Sequence, residues 1–184
     1  MKQYLITDPK YYSDNEELFR KNLKKVLEKK QVDIACFRDK ETNNFEQLAS
    51  IFIEICKEYE IKTILLNSDY ELAKKLGASG VHLTSNQFDK IKEAKKLDLY
   101  TVISCHDFAE LEKAQESYVN AVTYSPIFST PNKGEPKGIN SLKQALNLYE
   151  DLDIIALGGI RTQEEVEKIS KTSAYGFASI RYFI

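Results

Sequence analysis

Cysteine is scarce and scattered in this chain: Cys36, Cys56 and Cys105 are odd in number and far apart, which fits neither a disulfide framework nor the paired spacing of a structural zinc site. Reduced, mostly buried thiols are the expectation. Long hydrophobic runs are missing as well. The chain enters Tyr4-Leu5-Ile6 at once, without the apolar stretch and small-residue cleavage site of an export signal, and no later run approaches the length of a membrane span. A soluble, unexported, cytoplasmic protein with no membrane partner is expected. Neither sign of charge dominates: 26 Lys and Arg face 28 Asp and Glu, interspersed along the chain, so the basic stripe that tracks a nucleic-acid backbone is lacking and no nucleic-acid partner is expected. Histidine occurs only at positions 82 and 106, and no Ser-His-Asp order, metal-ligand spacing or nucleotide loop is present.

Glycine and proline are few and unevenly placed. No glycine precedes Gly77, five of the seven fall from Gly134 onward, and three of the four prolines lie between Pro126 and Pro136. Unusual backbone is therefore concentrated around the later part of the chain. No low-complexity segment or linker interrupts it.

What is there is an alternation. Short β-rich runs are read at Gln3–Thr7, Asp33–Phe37, Thr63–Asn67, Gly80–Leu83, Tyr100–Ser104, Ala121–Tyr124, Asp153–Leu157 and Ala174–Ala178. Between them Asn15–Lys29, Asn44–Tyr59, Tyr70–Leu76, Gln87–Lys96, Asp107–Ser117, Ile139–Tyr149 and Thr162–Lys171 carry apolar residues at helical spacing. Eight strands in strict alternation with helices favour closure over an open sheet, since closure leaves no edge strand unpaired. A chain of 184 residues, 42% hydrophobic, can bury one substantial core. The expected fold is α/β, a (β/α)8 TIM barrel forming one domain over residues 1–184, with a truncated last helix. So short an end would expose apolar surface that a second copy of the chain could cover.

In such a barrel the loops after the strands form the active face. Arg38 and Lys40 follow the second strand and could hold a carboxylate or phosphate; a solvated charge cluster is the other reading. Asn67 ends the third strand, Ser104 the fifth, and His106, a side chain of the type that can donate or accept a proton, lies just beyond it. His82, inside a short strand, reads as a hydrogen-bonded structural histidine. The loop Pro126–Gly138 carries Thr130, Asn132 and Lys133, able to close over an anion or simply solvated. Gly158-Gly159 and Ser179-Ile180-Arg181 end the last two strands and offer bare backbone N–H groups, the makings of a phosphate cradle; a tight turn is the plainer alternative.

At these positions the sequence resembles the thiamine phosphate synthase and thiazole tautomerase superfamily. Tyr4-Leu5-Ile6-Thr7-Asp8, Cys36-Phe37-Arg38-Asp39-Lys40, Gly80-Val81-His82-Leu83, Ser104-Cys105-His106, Pro126 through Lys133 and Leu157-Gly158-Gly159-Ile160 are similar, in order, to motifs of that family. The synthase joins a pyrimidine methyl diphosphate to thiazole phosphate with Mg²⁺ and releases diphosphate. The resemblance implies that Arg38, Lys40, Asn67, Ser104 and Lys133 face the pyrimidine diphosphate, and that Thr130, Asn132, Gly159, Ile180 and Arg181 hold the thiazole phosphate, with Gly158 in the same turn.

Four departures bear on the activity. Ser68 and Gln87 stand where the synthase has its magnesium aspartates, Cys36 replaces a glutamine and Asn132 a threonine. A hard cation is ordinarily anchored by carboxylates, which a hydroxyl and an amide do not replace. Leu83-Thr84-Ser85-Asn86-Gln87-Phe88 is also similar to a tautomerase stretch. The first expectation is therefore a metal-independent thiazole tautomerase-like isomerase, needing no cofactor, with His106 as the catalytic proton carrier. A Mg²⁺-dependent thiamine phosphate synthase is the alternative, and a non-catalytic thiazole-phosphate-binding regulator a third reading. The expected partner in each is a phosphorylated thiazole.

Overall fold

A computed structural model describes residues 1–184 except Asn132. Eight parallel strands close into one barrel in sequence order: β1 Lys2–Ile6, β2 Ile34–Phe37, β3 Thr63–Asn67, β4 Gly80–Leu83, β5 Tyr100–Cys105, β6 Ala121–Tyr124, β7 Ile154–Leu157 and β8 Gly176–Ser179. The register runs continuously, from Tyr4 opposite Ile34 round to Tyr4 opposite Ala178.

Alternation along each strand sorts the side chains into two cores. Tyr4, Ile6, Ile34, Cys36, Leu65, Val102, Ala121, Ile155 and Ala178 fill the barrel. Their neighbours Leu5, Ala35, Phe37, Leu66, Val81, Ile103, Val122 and Phe177 face outward and pack under the helices. The same rule aims His82, Ser104 and Thr123 into the barrel axis, which is why polar chemistry collects there. All three thiols are buried, and burial pushes Cys36 up to about 12.

The helices are α1 Pro9–Tyr12, α2 Glu16–Leu27, α3 Phe45–Glu58, α4 Tyr70–Leu76, α5 Ile91–Lys96, α6 Phe108–Glu116, α7 Gly138–Leu148 and α8 Gln163–Ser170. Their starts follow cap chemistry: Asn15, Asp69, Asp107 and Thr162 each accept a backbone N–H of the first turn. At α8 a capping box is complete, Thr162 receiving the Glu165 amide while Glu165 Oε2 accepts the Thr162 N–H at 2.9 Å. Thr162→Ala is expected to lower stability by about 1 kcal/mol with substrate affinities unchanged, read from the denaturant midpoint.

Among the described residues β8 is followed by a turn rather than a helix, and this turn packs inward. Phe183 stacks on Phe177 at 6.1 Å and is 2% exposed, with Tyr182 edge-on to both. Large exposed hydrophobics such as Leu18, Tyr118 and Leu148 lie far apart in the chain, each on a different helix or turn. Among the described residues no helix is long and apolar enough to cross a membrane.

Candidate functional site at the carboxyl ends of the strands

Because every strand runs the same way, the carboxyl ends of β1–β8 share one rim, and the residues expected to bind substrate lie at or just past them, Asn67 and Ser104 as the last and next-to-last residues of β3 and β5. On the arc from β6 to β8 the backbone dominates. The loop after β6 is pinned across its own base, Lys137 N to Pro126 O at 2.8 Å and Gly138 N to Ile127 O at 3.0 Å. It is laid along the end of β7 by Ile127 N to Leu157 O at 2.9 Å and Phe128 N to Gly158 O at 3.0 Å. Thr130 Oγ1 donates to Phe128 O, and Lys133 N reaches Thr130 O at 3.3 Å, so both side chains belong to a loop fixed on the glycine turn. Asn132 lies outside the described residues.

Gly158 and Gly159 have φ of +99° and +71°, a region that suits glycine, and this turn passes hard against the β6 loop. A Cβ on Gly159 would stand 2.6 Å from the carbonyl carbon of Phe128. The end of β8 is tied to the same turn: Ser179 Oγ donates to Ile160 O at 2.6 Å and accepts the Tyr182 N–H at 3.1 Å. Among the described residues the backbone N–H groups of Gly159, Ile160, Ile180 and Arg181 have no partner within the chain. Backbone donors left over at two adjacent strand ends are of the kind that can receive an anion, since buried N–H groups seldom go unpaired.

The arc from β1 to β5 is built of side chains. Arg38 is half-buried, with Nη1 3.5 Å from Asp8 Oδ2, and its backbone N–H donates to Thr7 Oγ1 at 2.8 Å. Lys40 is exposed, and between them Asp39 turns back to accept the N–H groups of Glu41 and Thr42. Asn67 Nδ2 donates to His82 O at 3.1 Å, and Ser104 Oγ lies 3.1 Å from His82 Nε2. Asn67 and Ser104 are thus brought together through a histidine placed between them. His106 is half-buried past β5. Its Nδ1 lies 3.2 Å from both Ser125 O and Ser125 Oγ, and its backbone N–H donates to Glu110 Oε2. A carbonyl facing Nδ1 draws the ring hydrogen there and leaves Nε2 as a bare acceptor. Ser125 and Thr123 carry no signal in a single sequence; only the strand register places them beside the histidines.

His82 is 4% exposed and hydrogen bonded through both ring nitrogens, as its position inside a strand implied. Burial, with a smaller push from the Arg38 guanidinium, lowers its pKa from 6.5 to about 4. As pH falls the unfolded chain takes up this proton first. Stability is therefore full above pH 6.5 and declines between 6.5 and about 4. This ring alone contributes about 3 kcal/mol across that window. Unfolding midpoints of the native chain and of His82→Gln between pH 8 and 4.5 check this, the native chain showing the steeper decline.

These features define a (β/α)8 barrel whose strand ends can take anionic small molecules. The family model described as thiamine monophosphate synthase matches residues 3–183, and the chain belongs to that family. An Aquifex aeolicus protein named "Putative thiamine-phosphate synthase 2" is 31% identical over 186 residues, covering 98% of this chain and 96% of its own. The thiamine-phosphate synthase of Lactococcus lactis subsp. lactis is 30% identical over 84% of this chain and 75% of its own. In fold, the chain is similar to the thiamine phosphate pyrophosphorylase of Pyrococcus furiosus, with TM-score 0.81, 19% identity, and coverage of 97% and 85%.

The isomerase expectation is corrected by these relatives, which bear the synthase's name, and the role of His106 as a proton carrier between ring positions falls with it. Two missing carboxylates do not by themselves remove a transfer activity. Those carboxylates concern how a cation is anchored; Arg38, Lys40, Asn67, Ser104, Thr130 and Lys133 still stand at the anion-facing positions, with Cys36 and Asn132 as departures beside them.

The Mg²⁺ that the synthase resemblance implies does not fit the residues present. Gln87 Oε1 already accepts from Thr84 N at 3.0 Å and Thr84 Oγ1 at 3.1 Å, and its Nε2 donates to Ser68 O at 3.0 Å. It serves as a neutral brace between the loops after β3 and β4. The carboxylates just past the strand ends are spent on backbone amides: Asp8 on Lys10, Asp39 on Glu41 and Thr42, Asp69 on Leu72, Asp107 on Glu110. Among the described residues no group of three His, Cys, Asp or Glu side chains could hold a metal. A hard cation lacks its oxygen anions here.

Proposed function

We propose that this chain is a transferase of thiamine biosynthesis, coupling a pyrimidine methyl diphosphate to thiazole phosphate. The ring nitrogen of the thiazole uses its lone pair to form a bond to the pyrimidine methylene carbon. The carbon–oxygen bond to the diphosphate breaks, and its electron pair leaves with the diphosphate. No proton moves at the reacting atoms, so the reaction asks mainly for alignment of two substrates and stabilisation of the departing charge.

The division of the rim supports this reading more than any other observation. Unpaired backbone N–H groups after β7 and β8 suit a phosphate monoester, while cationic and hydroxyl side chains after β2, β3 and β5 suit a second anion. Gly158, Gly159, Ile180 and Arg181, with Thr130 and Asn132, are assigned to the thiazole phosphate. Arg38, Lys40, Asn67, Ser104 and Lys133 are assigned to the diphosphate, where fixed cations offset the charge that develops on the leaving oxygen. The bare Nε2 of His106 offers an acceptor at the mouth. Release of inorganic diphosphate, followed continuously, tests the proposal: release that requires both substrates together supports coupling. Equal release from the pyrimidine diphosphate alone would make the protein a hydrolase instead.

A further inference from the structure

A chain of buried hydrogen bonds crosses the barrel beneath the mouth. Tyr4 Oη lies 2.8 Å from His82 Nδ1, and His82 Nε2 lies 3.1 Å from Ser104 Oγ and 3.3 Å from Thr123 Oγ1. Tyr4 and Thr123 are fully buried and His82 nearly so, while Ser104 is half-buried at the rim. The direction of the protons along this chain decides what Ser104 can bind.

A neutral imidazole carries one hydrogen and one bare nitrogen, and its partners choose the tautomer. The Tyr4 hydroxyl needs an acceptor. His82 Nδ1 is the acceptor in good geometry at 2.8 Å; the Cys36 thiol also lies beside the Tyr4 hydroxyl, but sulfur is a weak acceptor and its own hydrogen points at Phe37 O, 3.7 Å away. Tyr4 therefore donates to Nδ1, and the ring hydrogen sits on Nε2. From there it is donated to Ser104 Oγ, which also receives the Thr123 hydroxyl at 3.5 Å. With its lone pairs taken from below, Ser104 keeps its own hydrogen for the mouth.

We propose that Tyr4 and His82 are positioning residues that lock Ser104 as a hydrogen-bond donor toward an anionic oxygen, and so select an anion over a ligand that presents an amino group there. The same histidine acts on a second candidate: its carbonyl accepts Asn67 Nδ2 at 3.1 Å and Ser68 N at 2.9 Å, which fixes the orientation of the Asn67 amide. The identity of the anion as diphosphate rests on the transferase reading; the direction of the relay does not.

Two measurements test this. Long-range ¹⁵N–¹H spectra of the ¹⁵N-histidine protein at pH 7 should show His82 with a protonated Nε2 and a bare Nδ1, its signals assigned by their loss in His82→Gln. In Tyr4→Phe, which keeps the ring and removes only the donor, that single tautomer should give way to a mixture. Affinity for inorganic diphosphate, measured by calorimetry, should fall about tenfold in Tyr4→Phe and at least as much in Ser104→Ala. The double variant should be no weaker than Ser104→Ala alone. A hydrogen on Nδ1 in the native protein, or a Tyr4→Phe protein with native diphosphate affinity, would overturn the relay. A native protein that binds no diphosphate would overturn the assignment of the anion and with it the transferase reading, while the tautomer measurement would still stand.

Discussion

A Gly159→Ala protein is expected to lose about 2–4 kcal/mol of stability and at least tenfold in thiazole-phosphate affinity. The size of the effect comes from two sources acting at one atom. The backbone there has φ of +71°, which costs an alanine about 1–2 kcal/mol. The added methyl would also stand within 2.6–2.7 Å of the carbonyl carbon, carbonyl oxygen and Cβ of Phe128. Main chain cannot swing aside as a flexible side-chain tip can, so the β6 loop must move away from the β7 turn. That movement breaks the Phe128 N–H bond to Gly158 O and misaligns the amides of Gly159 and Ile160. Denaturant unfolding reads the first effect and calorimetric titration of thiazole phosphate the second; a stability change below about 0.5 kcal/mol would mean that the two loops are not in the contact described.

Arg38→Ala is expected to act the other way, on turnover with little change in stability. Its guanidinium is about a third exposed and pairs with Asp8 at 3.5 Å, an arrangement that contributes at most about 1 kcal/mol to folding. On the proposed assignment the same group would oppose the charge that appears as the carbon–oxygen bond breaks, and losing such a group lowers turnover about 10²–10³-fold. Arg38→Lys should recover part of this, since the charge returns without the planar fork. Steady-state kinetics beside a denaturant midpoint separate the two effects. Native turnover in Arg38→Ala would remove the guanidinium from the leaving-group site.

Much of this architecture was legible in the sequence for a simple reason: period-two runs and helical periods alternate without interruption, and closure is the arrangement that leaves no edge. Thr63–Asn67, Gly80–Leu83 and Ala121–Tyr124 are strands with the expected limits, because each is a β-rich run bounded by polar or turn residues. Pro9–Tyr12 was not expected as a helix; four residues held by the Asp8 cap are too few to show a period. Gln87–Lys96 divides into a 3-10 turn at Phe88–Lys90 and a short α-helix, since Gln87 is committed to bonding Thr84 and Ser68. The last strand begins at Gly176 rather than Ala174, where close packing of Gly176 on the Lys2 backbone sets the pairing.

The rim residues were legible by position alone, since a parallel barrel gathers all strand ends on one face. What joins them was not. Tyr4 and His82 are 78 residues apart, and their contact depends on register across four strands, which no local pattern encodes. The isomerase expectation rests on the absence of carboxylates at Ser68 and Gln87, a local feature that says how a cation is held but not which reaction the rest of the rim serves; the amide's role as a brace, and the use of neighbouring carboxylates as helix caps, appear only in three dimensions.

Direct detection of thiamine phosphate after incubating the purified protein with pyrimidine methyl diphosphate and thiazole phosphate, with and without added Mg²⁺, decides whether the chain couples the two. Product equal in amount to the diphosphate released, and lost when either substrate is omitted, is the expected result. No thiamine phosphate under either condition, from a protein that still binds thiazole phosphate, would contradict it.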